Sequence, residues 1–153
     1  TRLKLNPPLR EESDRQKLLD AVLDGTIDAI CSDHSPCTAT EKDCEFDLAP
    51  FGASTLEIAA IAAYEALVLH RQAELATWIA RFTSGPARVL DLPLGTLKHG
   101  TSGDMVLFNP QAKWSATPST LFSKAGNQPL LGKTFQGRFQ ATFVAGQKVF
   151  SLT

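Results

Sequence analysis

The run Ser32-Asp33-His34-Ser35-Pro36-Cys37 gathers a carboxylate, an imidazole, two hydroxyls and a thiol within six residues. A carboxylate in such a setting suits two tasks: moving a proton for an attacking nucleophile or ligating a metal. The ordinary alternative is a turn or helix-capping aspartate, and residue type alone leaves both open for Asp33. His34 follows it directly and reads as support for the loop rather than as a ligand. The remaining histidines, His70 and His99, form no H-x-H or H-x3-H pair with each other or with His34. Cys31, Cys37 and Cys44 are spaced C-x5-C-x6-C, without the tight C-x2-4-C spacing of structural zinc sites. Asp33 is therefore the one metal ligand these residues nominate, and no zinc site is expected from this chain alone.

The elements around that cluster set where it would sit. Asn6-Pro7-Pro8-Leu9-Arg10 is a proline-stiffened extended loop. Ser13, with Gln16 three residues on, reads as a capping box for a helix to about Asp24. Leu18, Leu19, Val22 and Leu23 fall at helical spacing and Gly25 is a natural stop. Thr26 to Ser32 reads as a short buried strand of the parallel kind, so the polar cluster lies at its C-terminal end, where an α/β barrel carries its active site. Thr38 to Gly52 is a long loop of the sort that is functional or disordered. Ser54 or Thr55 should cap a helix to about Arg71, and Leu75, Trp78, Ile79 and Phe82 indicate another. Ser84-Gly85-Pro86 breaks that helix and starts a short one. After Pro93 the periodicity changes: Met105 to Phe108 reads as a buried strand, and Gly137 to Phe150 alternates around a hairpin turn at Ala145-Gly146.

Bulk properties narrow the function classes. The chain has 153 residues, 43% of them hydrophobic, and a net charge of -1, so it can bury a core and offers no electrostatic footprint for nucleic acid or an anionic membrane. No apolar run approaches the roughly 20 residues that span a bilayer. An odd number of cysteines without a close pair argues against a secreted disulfide framework, and a reducing cytoplasm is the expected compartment. Thr1-Arg2-Leu3-Lys4 has neither an initiator methionine nor a signal-peptide core, and reads as an internal cut in a longer chain.

Several segments in order resemble one family. Lys4-Leu5-Asn6-Pro7-Pro8-Leu9-Arg10 resembles the loop after the seventh barrel strand of class I dihydroorotases. Ser32 to Pro36 resembles the loop after the eighth strand in the wider amidohydrolase superfamily. Glu41-Lys42-Asp43 and Ala49-Pro50-Phe51-Gly52 resemble the dihydroorotase active-site loop. Thr83-Ser84-Gly85-Pro86-Ala87-Arg88 resembles a T-x-N-P-A-R helix start, with Gly85 in place of the usual asparagine. Gly103 to Phe108 and Gly137 to Phe150 resemble the superfamily's C-terminal β domain.

The resemblance covers about Leu3 to Phe150 and only the C-terminal part of a full-length member. It implies an α/β protein: residues 1–93 as the closing βα portion of a TIM-type (β/α)8 barrel, and residues 94–153 as the C-terminal strands of a small β-sandwich domain. It implies a zinc-dependent cyclic amide hydrolase that reversibly closes N-carbamoyl-aspartate to dihydroorotate in pyrimidine biosynthesis. Asp33 matches the carboxylate that shuttles the proton and touches the metal, the other ligands lying upstream. Asn6 matches a substrate-contacting asparagine (otherwise a turn residue before Pro7). Pro50, Phe51 and Gly52 match a segment whose backbone meets the pyrimidine ring (otherwise a helix-entry turn). Cys37 departs from the pattern: dihydroorotases usually carry a histidine there that helps hold the substrate carboxylate. Ser-Asp-His-Ser-Pro-Cys is the form common in allantoinases, whose cyclic ureide lacks that carboxylate, so an allantoinase- or hydantoinase-like reaction is one alternative. A non-catalytic scaffold for aspartate transcarbamoylase is another. The implied partners are the N-terminal portion of the same barrel, a small cyclic amide, and a second copy or aspartate transcarbamoylase.

Overall fold

The computed structural model describes residues 1–152. Its first helix, α1 (Glu12–Asp24), starts from an extended Glu11 and stops at Gly25, whose φ of 92° is left-handed. Ser13 does not cap it. Glu12 takes hydrogen bonds from both Arg15 and Gln16, and the Gln16 oxygen that a capping box would use accepts from Arg71 at 2.7 Å, so the expected capping box does not form. Glu12 and Asp14 in the first turn favour the helix dipole instead. At the other end the Arg81 guanidinium donates to the Val22 carbonyl through Nε at 3.0 Å and Nη2 at 2.6 Å, pairing one of the carbonyls a helix end leaves open.

Residues 26–32 form no strand. They run without regular structure, Ile27 and Ile30 half-buried against the core and Cys31 exposed. A strand exists through its ladder, and here the regular pairing amounts to Ile30 N–H on the Arg81 carbonyl at 3.0 Å and one parallel bridge, His34 with Ala53. The loop after them contains a helical turn that the composition did not suggest, α2 (Ala39–Lys42), closed by a capping box between Thr38 and Glu41.

The next helix starts later than expected. Thr55 donates its hydroxyl to the Ser32 carbonyl at 2.6 Å and does not use it as a cap; its carbonyl receives the N–H of Ile58 and Ala59, and α3 covers Ala59–Tyr64. A π-helical stretch, Glu65–His70, continues it. Two short helices follow, α4 (Leu75–Phe82) and α5 (Ser84–Val89). Gly85 lets α5 lie on residues 26–32: a Cβ there would meet the Asp28 carbonyl oxygen at 2.1 Å.

The last third is one antiparallel sheet in the order β1 (Met105–Ser115), β2 (Thr134–Val144), β3 (Gln147–Ser151). Met105 pairs with Phe143 and Ser115 with Thr134, with bulges between Leu107 and Phe108 and between Asn109 and Lys113. The hairpin turn at Ala145-Gly146 is as expected, both residues at positive φ. The burial expected for the start of β1 is not: Met105, Val106 and Leu107 are 39, 51 and 52% exposed. Sheet and helices share an aromatic core. Tyr64 and Trp78 meet edge to face at 5.3 Å, and Phe108 lies 5.1 Å from Tyr64 and 4.8 Å from Trp78, contacts each worth about 0.5–1.5 kcal/mol beyond burial. Gly137 (φ 93°) makes room for it, since a Cβ would meet the Phe108 ring at 2.7 Å and the Tyr64 ring at 3.0 Å.

Candidate active site

Asp33 is exposed and left-handed, with φ 43°. Aspartate tolerates that region better than most residues, and non-glycine residues held there concentrate at functional sites. Its carboxylate accepts no hydrogen bond from the described residues. The residues on either side explain why the turn holds. The His34 imidazole takes the backbone N–H of Thr55 (3.1 Å) and Leu56 (3.2 Å) on Nδ1, which makes His34 a loop brace, as its position suggested. Ser35 N–H donates to the Ala53 carbonyl at 2.9 Å.

Gly52 sits directly against this turn. Its φ is 104°, and a Cβ there would lie 2.4 Å from the Ser35 Cβ. The absence of a Cβ at Gly52 thus admits the protein's own Ser35. On its other side Gly52 N–H donates to the Lys4 carbonyl at 2.9 Å, which brings the Asn6 loop alongside. Lys4 also donates to the Asp47 carbonyl at 2.8 Å and lies 4.8 Å from the Phe51 ring centre. Lys42, buried among these segments, donates to the Pro50 carbonyl at 2.6 Å. Asn6, Pro50 and Phe51 are exposed. Cys37 is half-buried, its thiol 3.9 Å from the Ser35 carbonyl.

The residue the sequence reading missed is Asn127. It is fully buried. Its Oδ1 accepts the Cys37 N–H at 2.9 Å; its Nδ2 donates to the Ser35 carbonyl at 2.9 Å and the Gly52 carbonyl at 3.3 Å. Gln128 donates to the Ser54 carbonyl, and Gly126 N–H to the Cys37 carbonyl at 3.0 Å. The available signal was an Asn-Gln pair between Gly126 and Pro129, polar residues that Gly and Pro would force into a non-regular stretch needing backbone partners.

The structure thus brings Asp33, Cys37, Gly52 and the Asn6 loop into one contiguous region. It does not enclose them. A polar concavity beside Thr1, Lys42 and Gly126 and an apolar one beside Glu57, Phe122 and Arg138 do not include Asp33, Asn6 or residues 50–52. Among the described residues no three His, Cys, Asp or Glu side chains gather for a metal. His70 and His99 are exposed. Glu41, at the edge of the region, has its carboxyl lowered by the Thr38 N–H and then the Thr38 hydroxyl. No helix among the described residues is long and apolar enough to cross a membrane.

The sequence profile of the amidohydrolase family matches residues 5–149, and the chain belongs to that family. Within it, the chain is 40% identical over 144 residues to a dihydroorotase from Elusimicrobium minutum, covering 94% of this chain and 33% of the relative. It is 42% identical over 147 residues to the dihydroorotase of Shouchella clausii, covering 96% and 34%. The chain therefore spans about a third of the length of the curated relatives it matches. Among solved structures, a dihydropyrimidinase from Brevibacillus agri superposes with a TM-score of 0.91 at 22% identity over 98% of this chain and 34% of that one. A D-hydantoinase from Thermus sp. gives 0.90 at 22% over the same shares. These likenesses define a TIM-barrel-type fold, of which this chain contributes helices and an antiparallel sheet.

Proposed function

We propose that the protein containing this chain is a dihydroorotase, reversibly closing N-carbamoyl-aspartate to dihydroorotate for pyrimidine biosynthesis. One observation carries it: an exposed aspartate on a left-handed turn, tied to the Pro50-Phe51-Gly52 loop, in a chain about 40% identical to relatives named dihydroorotase. Asp33 is then the general base. It takes a proton from the attacking water as the new C–O bond forms, and returns it to the ring nitrogen as the amide C–N bond breaks. Its exposure and lack of partners among the described residues suit a group that must reach a ligand. Asn6 and the backbone of Pro50, Phe51 and Gly52 bind the ring; Lys42 and Lys4 hold that loop in place. Cys37 lines the same end.

Zinc is the metal we assign, with Asp33 as one ligand. The described residues do not make a zinc site by themselves, since a catalytic site takes about three protein ligands; the others are expected outside this chain. When bound, zinc supplies a water of lowered pKa and a polarised carbonyl. We further propose that residues 1–93 are the closing βα portion of the barrel and residues 94–153 supply the C-terminal strands of a β-sandwich domain. The N-terminal portion of the barrel would then cover exposed apolar residues such as Leu9, Leu48 and Leu97, and the whole would work in the cytoplasm.

Cys37 supports a second reading. A neutral thiol is a weak donor and cannot give a substrate carboxylate a charge-assisted bond, which favours an uncharged cyclic ureide as in allantoinase. Turnover of dihydroorotate and of allantoin by the complete protein with zinc supplied distinguishes them. Turnover of neither would put the non-catalytic scaffold for aspartate transcarbamoylase first.

A further inference from the structure

We infer that Asn127, from the sheet-bearing third of the chain, is a positioning residue that fixes the Asp33 turn against the Pro50-Phe51-Gly52 loop. The inference rests on the reading of those two segments as catalytic and substrate-binding. Its geometric basis is independent of that reading. Asn127 is fully buried, and its one amide group makes three hydrogen bonds, to Ser35 and Cys37 on one loop and to Gly52 on the other. Ser35 and Cys37 follow Asp33 by two and four residues; Gly52 follows Phe51 directly.

No other side chain from a third segment hydrogen-bonds both loops among the described residues. The remaining ties between them include the Thr55 N–H on the His34 imidazole, the Thr55 hydroxyl on the Ser32 carbonyl, the single parallel bridge of His34 with Ala53, the Ser35 N–H on Ala53, and Gly52 against Ser35. His34 and Thr55 tie the loops at one end, whereas the Asn127 amide, donating and accepting across the gap, sets the distance and direction between residues 35–37 and Gly52. The segment carrying Asn127 is itself held at both flanks. Gly126 N–H reaches the Cys37 carbonyl, its Cα approaches Ala39 so closely that a Cβ would lie 2.8 Å from the Ala39 nitrogen, and Gln128 reaches the Ser54 carbonyl. Segment 126–128 is thus a wedge between the two loops, with Asn127 as its polar tip. The connection between β1 and β2 therefore takes part in the geometry of the reaction through Asn127.

The test uses the complete protein with zinc and compares wild type, Asn127→Ala and Asn127→Asp. The aspartate variant is nearly isosteric and keeps an acceptor for the Cys37 N–H while losing the donor to Ser35 and Gly52. Circular dichroism selects folded protein; hydrogen–deuterium exchange then reads residues 33–37 and 52–55, and steady-state kinetics on dihydroorotate reads kcat and KM per folded enzyme. The expected result is faster exchange in both loops in Asn127→Ala, with kcat/KM down on the order of 10²-fold, the scale of an ångström-sized misplacement. Asn127→Asp should likewise raise KM. A merely structural role would lower thermal stability and yield but leave KM per folded enzyme unchanged. Unchanged exchange in either loop, or wild-type kcat/KM in folded Asn127→Asp, overturns the inference. If wild type turns over no cyclic amide, the proposed function fails; exchange in the two loops still decides the positioning role by itself.

Discussion

Replacing Gly52 by alanine should cripple substrate turnover more than it harms folding. The φ of 104° is a region L side chains rarely adopt, costing of order 1–3 kcal/mol. The larger effect is contact: the new Cβ would start 2.4 Å from the Ser35 Cβ, against roughly 3.5–4.0 Å for relaxed carbon atoms. The two loops must separate by about 1 Å or more. Gly52 cannot slide freely to allow it, since its N–H is held by Lys4 and its carbonyl by Asn127. A shift of that size between Asp33 and the Pro50–Gly52 backbone should lower kcat/KM on the order of 10²-fold, or about 2.7 kcal/mol of transition-state binding. Gly132→Ala is the control. Gly132 also has a positive φ, 89°, but open space where the Cβ would go, so it isolates backbone strain and should leave kcat/KM unchanged. Dihydroorotate kinetics and thermal unfolding of both variants in the complete protein are the assays. Wild-type kcat/KM in folded Gly52→Ala would refute the contact between the two loops as a determinant of activity.

Two further outcomes follow from the same region. Cys37→His should improve kcat/KM for dihydroorotate over allantoin by about 10- to 100-fold, since a charge-assisted hydrogen bond contributes about 1.5–3 kcal/mol; a fall in dihydroorotate turnover would show that position 37 does not face the substrate carboxylate. The α2 capping box should weaken in acid. The Glu41 carboxyl is lowered by Thr38, so its stabilisation is complete above the unfolded value of about 4.3 and is lost as pH falls through the lower folded value. Hydrogen exchange at the Thr38 and Glu41 amides, corrected for the intrinsic pH dependence, should show protection falling only in acid, and Glu41→Gln should flatten that dependence; constant protection down to pH of about 2 would contradict it.

What could be read from the sequence was what local chemistry decides. Gly25 ends α1 and Ala145-Gly146 turns the hairpin because each position needs a left-handed backbone, and the helical spacing of Trp78 and Phe82 reports a face that does pack into the core. The polar run at Asp33 was legible because carboxylate, imidazole and thiol crowd together after an apolar stretch. Local rules misled where a group had a better long-range partner. Thr55 was read as a cap, but its hydroxyl goes to Ser32; Gln16 was read into a capping box, but its oxygen accepts from Arg71. The strand expected at residues 26–32 depends on neighbours that no local pattern encodes, and the described chain gives it none. Asn127 was missed for the same reason: the Gly-Asn-Gln-Pro run signals an irregular polar stretch, but the partners lie 75 to 92 positions away, and no local pattern identifies them.

The most direct measurement is dihydroorotate turnover by the complete protein, wild type against Asp33→Asn, with zinc supplied and both proteins shown to be folded. Asparagine keeps the size and the turn preference of Asp33 but cannot carry the proton from water to ring nitrogen. Wild type should be active and Asp33→Asn reduced by about 10²-fold or more. Full activity in Asp33→Asn, or none in wild type toward dihydroorotate, would contradict the assignment of this chain to a dihydroorotase whose proton passes through Asp33.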